Sequence, residues 1–138
     1  MRKINKIIIH CAATKPSMDI GVPEIRKWHL ERGFSDIGYH DVIRRDGSVE
    51  EGRPMELAGA HCQGQNAHSI GICLVGGIDE KGKPENNFTE AQFKSLRRLL
   101  SMYKTQHKKA TIHGHNEFNY NKACPSFNVQ DWLRCNQI

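Results

Sequence analysis

The stretch Ser69 to Gly76, S-I-G-I-C-L-V-G, constrains the fold more than any other. It is a short apolar run without alternation, and it reads as a central strand buried on both faces. A second run, Lys6 to His10 (K-I-I-I-H), is β-branched and ends in a histidine. It reads as a buried strand whose last residue emerges at an edge of the sheet, where sites are usually built. Helical patterns lie between and after these runs. Val22-Pro23-Glu24 opens a helix with proline in its first turn, Ile25, Trp28 and His29 fall at helical spacing, and Gly33 closes it. Thr89 with Gln92 makes a capping box ahead of a long helix whose apolar face is Phe93, Leu96, Leu99, Leu100 and Tyr103, fading near Gln106 and His107. Asn128 can cap a last helix through Trp132 and Leu133.

The remaining strands are shorter. His40 to Arg45 alternates into Asp46-Gly47, which predicts a hairpin with a two-residue turn and a return strand over Ser48 to Gly52. Lys109 to Ile112 reads as a short last strand. Strands interleaved with helices predict an α/β fold, a single mixed central sheet flanked by helices, in one domain over residues 1–138. A chain of this length buries roughly two-thirds of the surface its unfolded form exposes, so no second domain is needed.

The basic start, Met1 to Lys6, is followed only by Ile7 to Ile9, far too short for a signal-peptide core or a membrane span. The chain is therefore expected to be made in the cytosol, where thiols stay reduced. The five cysteines, Cys11, Cys62, Cys73, Cys124 and Cys135, are odd in number and irregularly spaced, which argues against a disulfide framework. A net charge of +5 suits an anionic partner: nucleic acid, anionic lipid and anionic wall polymers all qualify, as does a plain solvated basic surface.

Chemistry concentrates in Gly114 to Phe127, G-H-N-E-F-N-Y-N-K-A-C-P-S-F, which brings His115, Lys122 and Cys124 into one loop. No paired cysteines of a zinc ribbon occur, yet imidazole and thiolate together suit zinc, which takes three protein ligands and an open fourth position when catalytic. His10, at the end of the first strand, is a third candidate. A lone histidine is more often a structural residue with a satisfied hydrogen bond than a ligand, and spacing alone leaves both readings open.

The motifs I-I-I-H-C-A-A-T-K-P, I-R-K-W-H, G-Y-H with R-D-G, A-H-C-Q-G-Q-N-A-H-S-I-G-I-C-L-V-G-G, and H-N-E with K-A-C-P-S-F resemble the zinc-dependent N-acetylmuramoyl-L-alanine amidases. The likeness is greatest to small phage lysozymes of the amidase type, with animal peptidoglycan recognition proteins more distant, and it runs in order over nearly the whole chain. It implies the amidase/peptidoglycan recognition protein fold and a zinc ion (Zn2+) held by His10, His115 and Cys124. His113 competes for the second histidine, since in an extended segment it points the same way as His115; Glu117 completes the H-x-E pattern in favour of His115. The segment Phe118 to Asn121 is slightly longer than in the family's closest members.

The resemblance further implies that Tyr39 orients or deprotonates the attacking water and that Lys122 stabilises the tetrahedral oxyanion. His61 is the best candidate in A-H-C-Q-G-Q-N-A-H to line a groove for the muramyl peptide; Gln65, Asn66 and His68 lie beside it, and Asn66 and His68 can equally serve to fix the loop. Cys11, Cys62, Cys73 and Cys135 are read as structural. The implied activity is cleavage of the amide between N-acetylmuramic acid and the L-alanine of the stem peptide, as in a phage or prophage endolysin that reaches the wall through a separate pore. Peptidoglycan is the expected partner, with neither nucleic acid nor membrane, and a monomer is the default. A non-catalytic peptidoglycan-binding module and a thiol hydrolase built on Cys124 and His115 are the rivals.

Overall fold

The computed structural model describes residues 2–138. In it β1 (Lys6–Cys11), α1 (Val22–Glu31), β2 (Asp41–Ile43), β3 (Val49–Glu51), β4 (Ser69–Leu74), α2 (Glu90–Gln106), β5 (Thr111–Gly114) and α3 (Val129–Cys135) follow one another along the chain. The five strands form one sheet in the order β3-β2-β4-β1-β5. β1 runs parallel to β4 and β5, β2 runs parallel to β4, and β3 alone is antiparallel, to β2. This is the mixed sheet with flanking helices that the interleaved patterns predict, and β4 sits at its centre, buried throughout.

Alternation along the strands divides the interior in two. Ile7 and Ile9 of β1, Ile70, Ile72 and Leu74 of β4 and Ile112 of β5 pack with Leu96, Leu100 and Tyr103 of α2 and Val129 and Leu133 of α3. Each fully buried isoleucine or leucine there contributes about 1.5–3 kcal/mol. On the other face Val42, Cys73 and Val75 form a smaller cluster with Val22 and Ile25 of α1. The helix ends are chemically set: the Thr89 hydroxyl accepts the Gln92 N–H while the Gln92 amide oxygen accepts the Thr89 N–H, and Asn128 Oδ1 accepts the Asp131 N–H. No helix among the described residues is long and apolar enough to cross a membrane.

Three expectations change in detail. The hairpin closes on Arg44, whose N–H donates to Ser48 O at 2.8 Å, so the loop has Arg45, Asp46 and Gly47 in it rather than two residues. Gly47 takes a left-handed φ of 88° there, as a three-residue hairpin loop requires. Arg45 leaves the ladder because its guanidinium is drawn to Val75 O, Asn87 O and Gln92 Oε1. The last strand is Thr111–Gly114, two residues later than Lys109 to Ile112, because Thr111 pairs with Lys6 and Gly114 with Ile9 while Ala110 still closes a turn onto His107 O. Finally, β1 continues one residue past His10, through Cys11, and His10 is buried at 1% exposure.

Candidate metal centre and active site

β5 stops at Gly114, opposite Ile9, so the carboxyl end of β1 loses its neighbour on that side just where His10 begins, while β4 still pairs with His10 and Cys11. The chain then turns through the 3₁₀ segment His115–Glu117. Glu117 pins that turn: its carboxylate accepts the Gly114 N–H at 2.8 Å and the Gln130 amide at 3.1 Å, and pairs with His113 Nδ1 at 2.9 Å. His113 Nε2 is in turn engaged with Thr111 Oγ1 at 2.7 Å. The two histidines therefore do not share one strand alternation; His113 is tied aside by Glu117, and His115 turns inward.

His10, His115 and Cys124 come together, with one ligand atom from each lying within 4.8 Å of the others. His10 Nδ1 stands 3.7 Å from Cys124 Sγ. Zinc bonds of ~2.0–2.1 Å to nitrogen and ~2.3 Å to sulfur, at a tetrahedral angle, put those two atoms about 3.5 Å apart. That pair already stands near the spacing a tetrahedral cation needs, and the His115 donor lies within 4.8 Å of both. The Cys11 N–H donates to Cys124 Sγ at 3.2 Å, which favours a thiolate there. Cys124 is tied to the His115 turn through Asn116, whose N–H donates to Cys124 O at 2.8 Å.

Electrostatics at this cluster follow from burial. Burial, then His61 and His115, holds the His10 imidazole well below the usual histidine range. His115 is lowered by burial and then by the Lys122 charge. Without a cation, the hydrogen bond to Cys11 and burial hold the Cys124 thiol well above the ordinary cysteine range. A divalent ion reverses that preference, because a coordinating thiol is deprotonated outright. The Cys11 thiol is lowered to about 7, first by its hydrogen bond to Cys124. Cys62 and Cys73 are buried, and Cys135 is exposed.

A cavity of about 560 Å³ opens over the cluster, lined among others by Tyr39, His61, Lys122 and the three candidate ligands. The Tyr39 ring lies 5.1 Å from that of His10. Lys122 is held in a tight turn, its N–H donating to Asn119 O at 3.0 Å. His61 borders the cavity but is only 8% exposed, and both of its ring nitrogens face inward: Nδ1 is 2.8 Å from His10 Nε2 and Nε2 is 3.1 Å from Ser69 Oγ. Burial, then nearby His40, pushes its pKa down to about 3, so the ring is neutral. Asn66 Oδ1 accepts the N–H of both His61 and Cys62, and His68 Nδ1 contacts Lys3 O, so these two residues fix the loop.

Residues that sequence reasoning passed over also border the cavity: His29, Arg32, Phe34 and Gln63. His29 is visible as part of the α1 apolar pattern, and its Nδ1 accepts the Gly38 N–H. Gln63 lies within A-H-C-Q-G-Q-N-A-H but is not singled out there, and Arg32 and Phe34 carry no motif of their own; only the folding of two loops against the sheet brings them here.

Known proteins resemble this chain over nearly its whole length. The sequence family described as N-acetylmuramoyl-L-alanine amidase matches residues 1–127. The chain is 50% identical over 137 residues to an endolysin of Klebsiella phage KP32, covering 99% of this chain and 90% of that protein. It is 51% identical over 132 residues to an endolysin of Escherichia phage T7, covering 96% and 87%. Among solved structures, the N-acetylmuramoyl-L-alanine amidase LysC from Clostridium intestinale URNW superposes with a TM-score of 0.84 at 27% identity, over 99% of this chain and 87% of that one. With three histidine and cysteine donors gathered at the carboxyl end of β1 on a fold shared with such an enzyme, this chain belongs to the N-acetylmuramoyl-L-alanine amidase family.

Proposed function

We propose that this chain is an endolysin that holds a zinc ion at His10, His115 and Cys124 and hydrolyses the amide between the lactyl group of N-acetylmuramic acid and the L-alanine of the stem peptide. The observation that carries the reading is the convergence of these three ligands on one cavity that also receives Tyr39 and Lys122. When bound, the metal would acidify water and polarise the amide carbonyl, the two activations that a poor electrophile and a poor nucleophile need. Tyr39, beside His10, orients the attacking water. The Lys122 ammonium stabilises the oxyanion that forms as the carbonyl carbon becomes tetrahedral. As the C–N bond breaks, the water's oxygen stays on the lactyl carboxylate and a proton passes to the alanine amine.

The net charge of +5 suits an anionic wall, which the chain, as a monomer, would reach through a separate pore. A thiol hydrolase remains the competing chemistry, since Cys124 also lies against an imidazole, that of His10. Mass spectrometry of soluble products from intact peptidoglycan, with and without a chelator, separates the two. Stem peptides with free L-alanine amino termini, absent under chelation, are expected. The same peptides in both tubes would assign the reaction to Cys124 as nucleophile, and no products in either, with protein bound to the wall, would make this a binding module.

A further inference from the structure

We propose that His61 is a positioning residue for His10, fixing the tautomer that leaves Nδ1 free for the cation, and that Gly59, Gly71 and Ser69 build the slot that holds His61. This rests on the zinc reading above and deepens it.

The tautomers follow from the contacts. A neutral imidazole carries one proton, and the nitrogen that binds a metal must offer its lone pair. His10 Nδ1 is the atom aimed at Cys124, so its proton sits on Nε2, 2.8 Å from His61 Nδ1. His61 Nδ1 must then accept, which places the His61 proton on Nε2, where Ser69 Oγ receives it at 3.1 Å. One assignment at the metal thus sets every donor and acceptor from Cys124 to the first residue of β4. The two ring planes stand at 90° with their nitrogens 2.8 Å apart, a twist about the hydrogen-bond axis that leaves the in-plane N–H of one free to point along the in-plane lone pair of the other.

The slot is built for a flat ring. A Cβ added at Gly71 would stand 2.6 Å from His61 Cγ and Cδ2, and one at Gly59 would stand 2.7 Å from Cδ2. Both are closer than any side chain tolerates, so β4 gives up a side chain at Gly71 to admit the imidazole, and the loop does so at Gly59, where Gly38 O also stands 2.7 Å away. Asn66 holds the backbone of His61 and Cys62 from the loop side, at 2.9 Å each. A group that merely touched substrate would not need its ring locked from the inner side.

The choice of a histidine has a chemical consequence. Metal-bound histidines usually donate their other N–H to a carboxylate, a backbone carbonyl or water, and a carboxylate there raises ligand basicity. A neutral imidazole orients His10 without adding negative charge. Cys124 remains the sole anionic ligand, and the site keeps a net charge of about +1 with zinc bound.

The test is zinc affinity measured by competition with a chromophoric chelator, with circular dichroism as the check on folding. His61→Ala is expected to bind zinc ~10- to 100-fold more weakly than wild type with its spectrum retained. His61→Gln, whose amide can accept from His10 and donate to Ser69, should recover most of that loss. If the alanine variant does not fold, His61→Leu fills the slot without an acceptor and gives the same comparison. Wild-type zinc affinity in His61→Ala or His61→Leu, with only KM for a muramyl peptide raised, would overturn the inference and make His61 a groove contact. Absence of zinc binding in the wild-type protein would instead overturn the metal reading itself, before any variant is considered.

Discussion

Ile7 and Ile9 of β1 face α2 and α3, while Ile8 and His10, one position along, face the side where the cavity opens. The same division runs through β4, with Ile70, Ile72 and Leu74 on the first side and Ser69, Gly71 and Cys73 on the second. On the first side apolar bulk fills most of the space, with Tyr103 bonded to Asp41 and Gln92 to Ile43 O and Val75 O at its edge, and apolar neighbours of similar volume could replace one another at small cost. On the second side each ring is placed by a particular partner: His61 by Ser69 and two glycines, His10 by His61, His29 by the Gly38 N–H. One face of the sheet holds the fold together, and the other spends backbone freedom and buried polar groups on orienting a few atoms. Changes on the two sides should therefore fail in different assays.

The largest expected effect is on the polar side. Cys124→Ser should abolish zinc retention and lower turnover by about a thousandfold or more, because water activation and carbonyl polarisation are each worth several kcal/mol. The thermal midpoint of the metal-free protein should hardly move; a large fall would mean that Cys124 is a core residue and would break the comparison. Lys122→Ala and Tyr39→Phe should each cost about 3–4 kcal/mol in kcat, with zinc content by atomic absorption unchanged. Wild-type rates in either variant would remove that residue from the mechanism.

On the apolar side the effect is on stability. Leu96→Ala, in the α2 cluster, should lower the unfolding free energy by about 3 kcal/mol in a urea titration while zinc stoichiometry stays as in wild type. Loss of zinc in that variant would show that the two faces are coupled through β1.

pH gives the smallest, graded test. Burial holds His10, His40 and His61 below the ordinary value of 6.5, with His61 at about 3. Between those values the unfolded chain binds protons that the folded chain does not, so stability is full above pH 6.5 and is lost as pH falls below it. Each such group steepens the fall by up to ~1.4 kcal/mol per pH unit. Urea midpoints of metal-free protein at pH 7 and pH 5 should show that loss; equal midpoints would mean that these rings are protonated in the fold and that the His10–His61 hydrogen bond is wrongly assigned.

Much of this molecule is legible in one dimension. The helix starts are local chemistry, since Thr89 with Gln92 and Asn128 with Asp131 satisfy N–H groups only a few residues away. The buried strand at Ser69 is legible because its apolar run has no solvent face to offer. The hairpin turn is misjudged because what lengthens it, the pull on Arg45 from Val75, Asn87 and Gln92, comes from other elements. The β5 boundary is misjudged because register with β1, not propensity, decides where pairing begins.

The kinds of group available, the alternation that sorts them to two faces and the motif order that marks the family are all present in the linear chain. Only the folded chain shows how His113 is held aside by Glu117 and Thr111, and which acceptor stands behind His10. The physical reason is range. Propensities and caps act over one turn, whereas His10 meets His61 across 51 residues and Cys124 across 114, distances at which only a completed sheet fixes which nitrogen faces which atom.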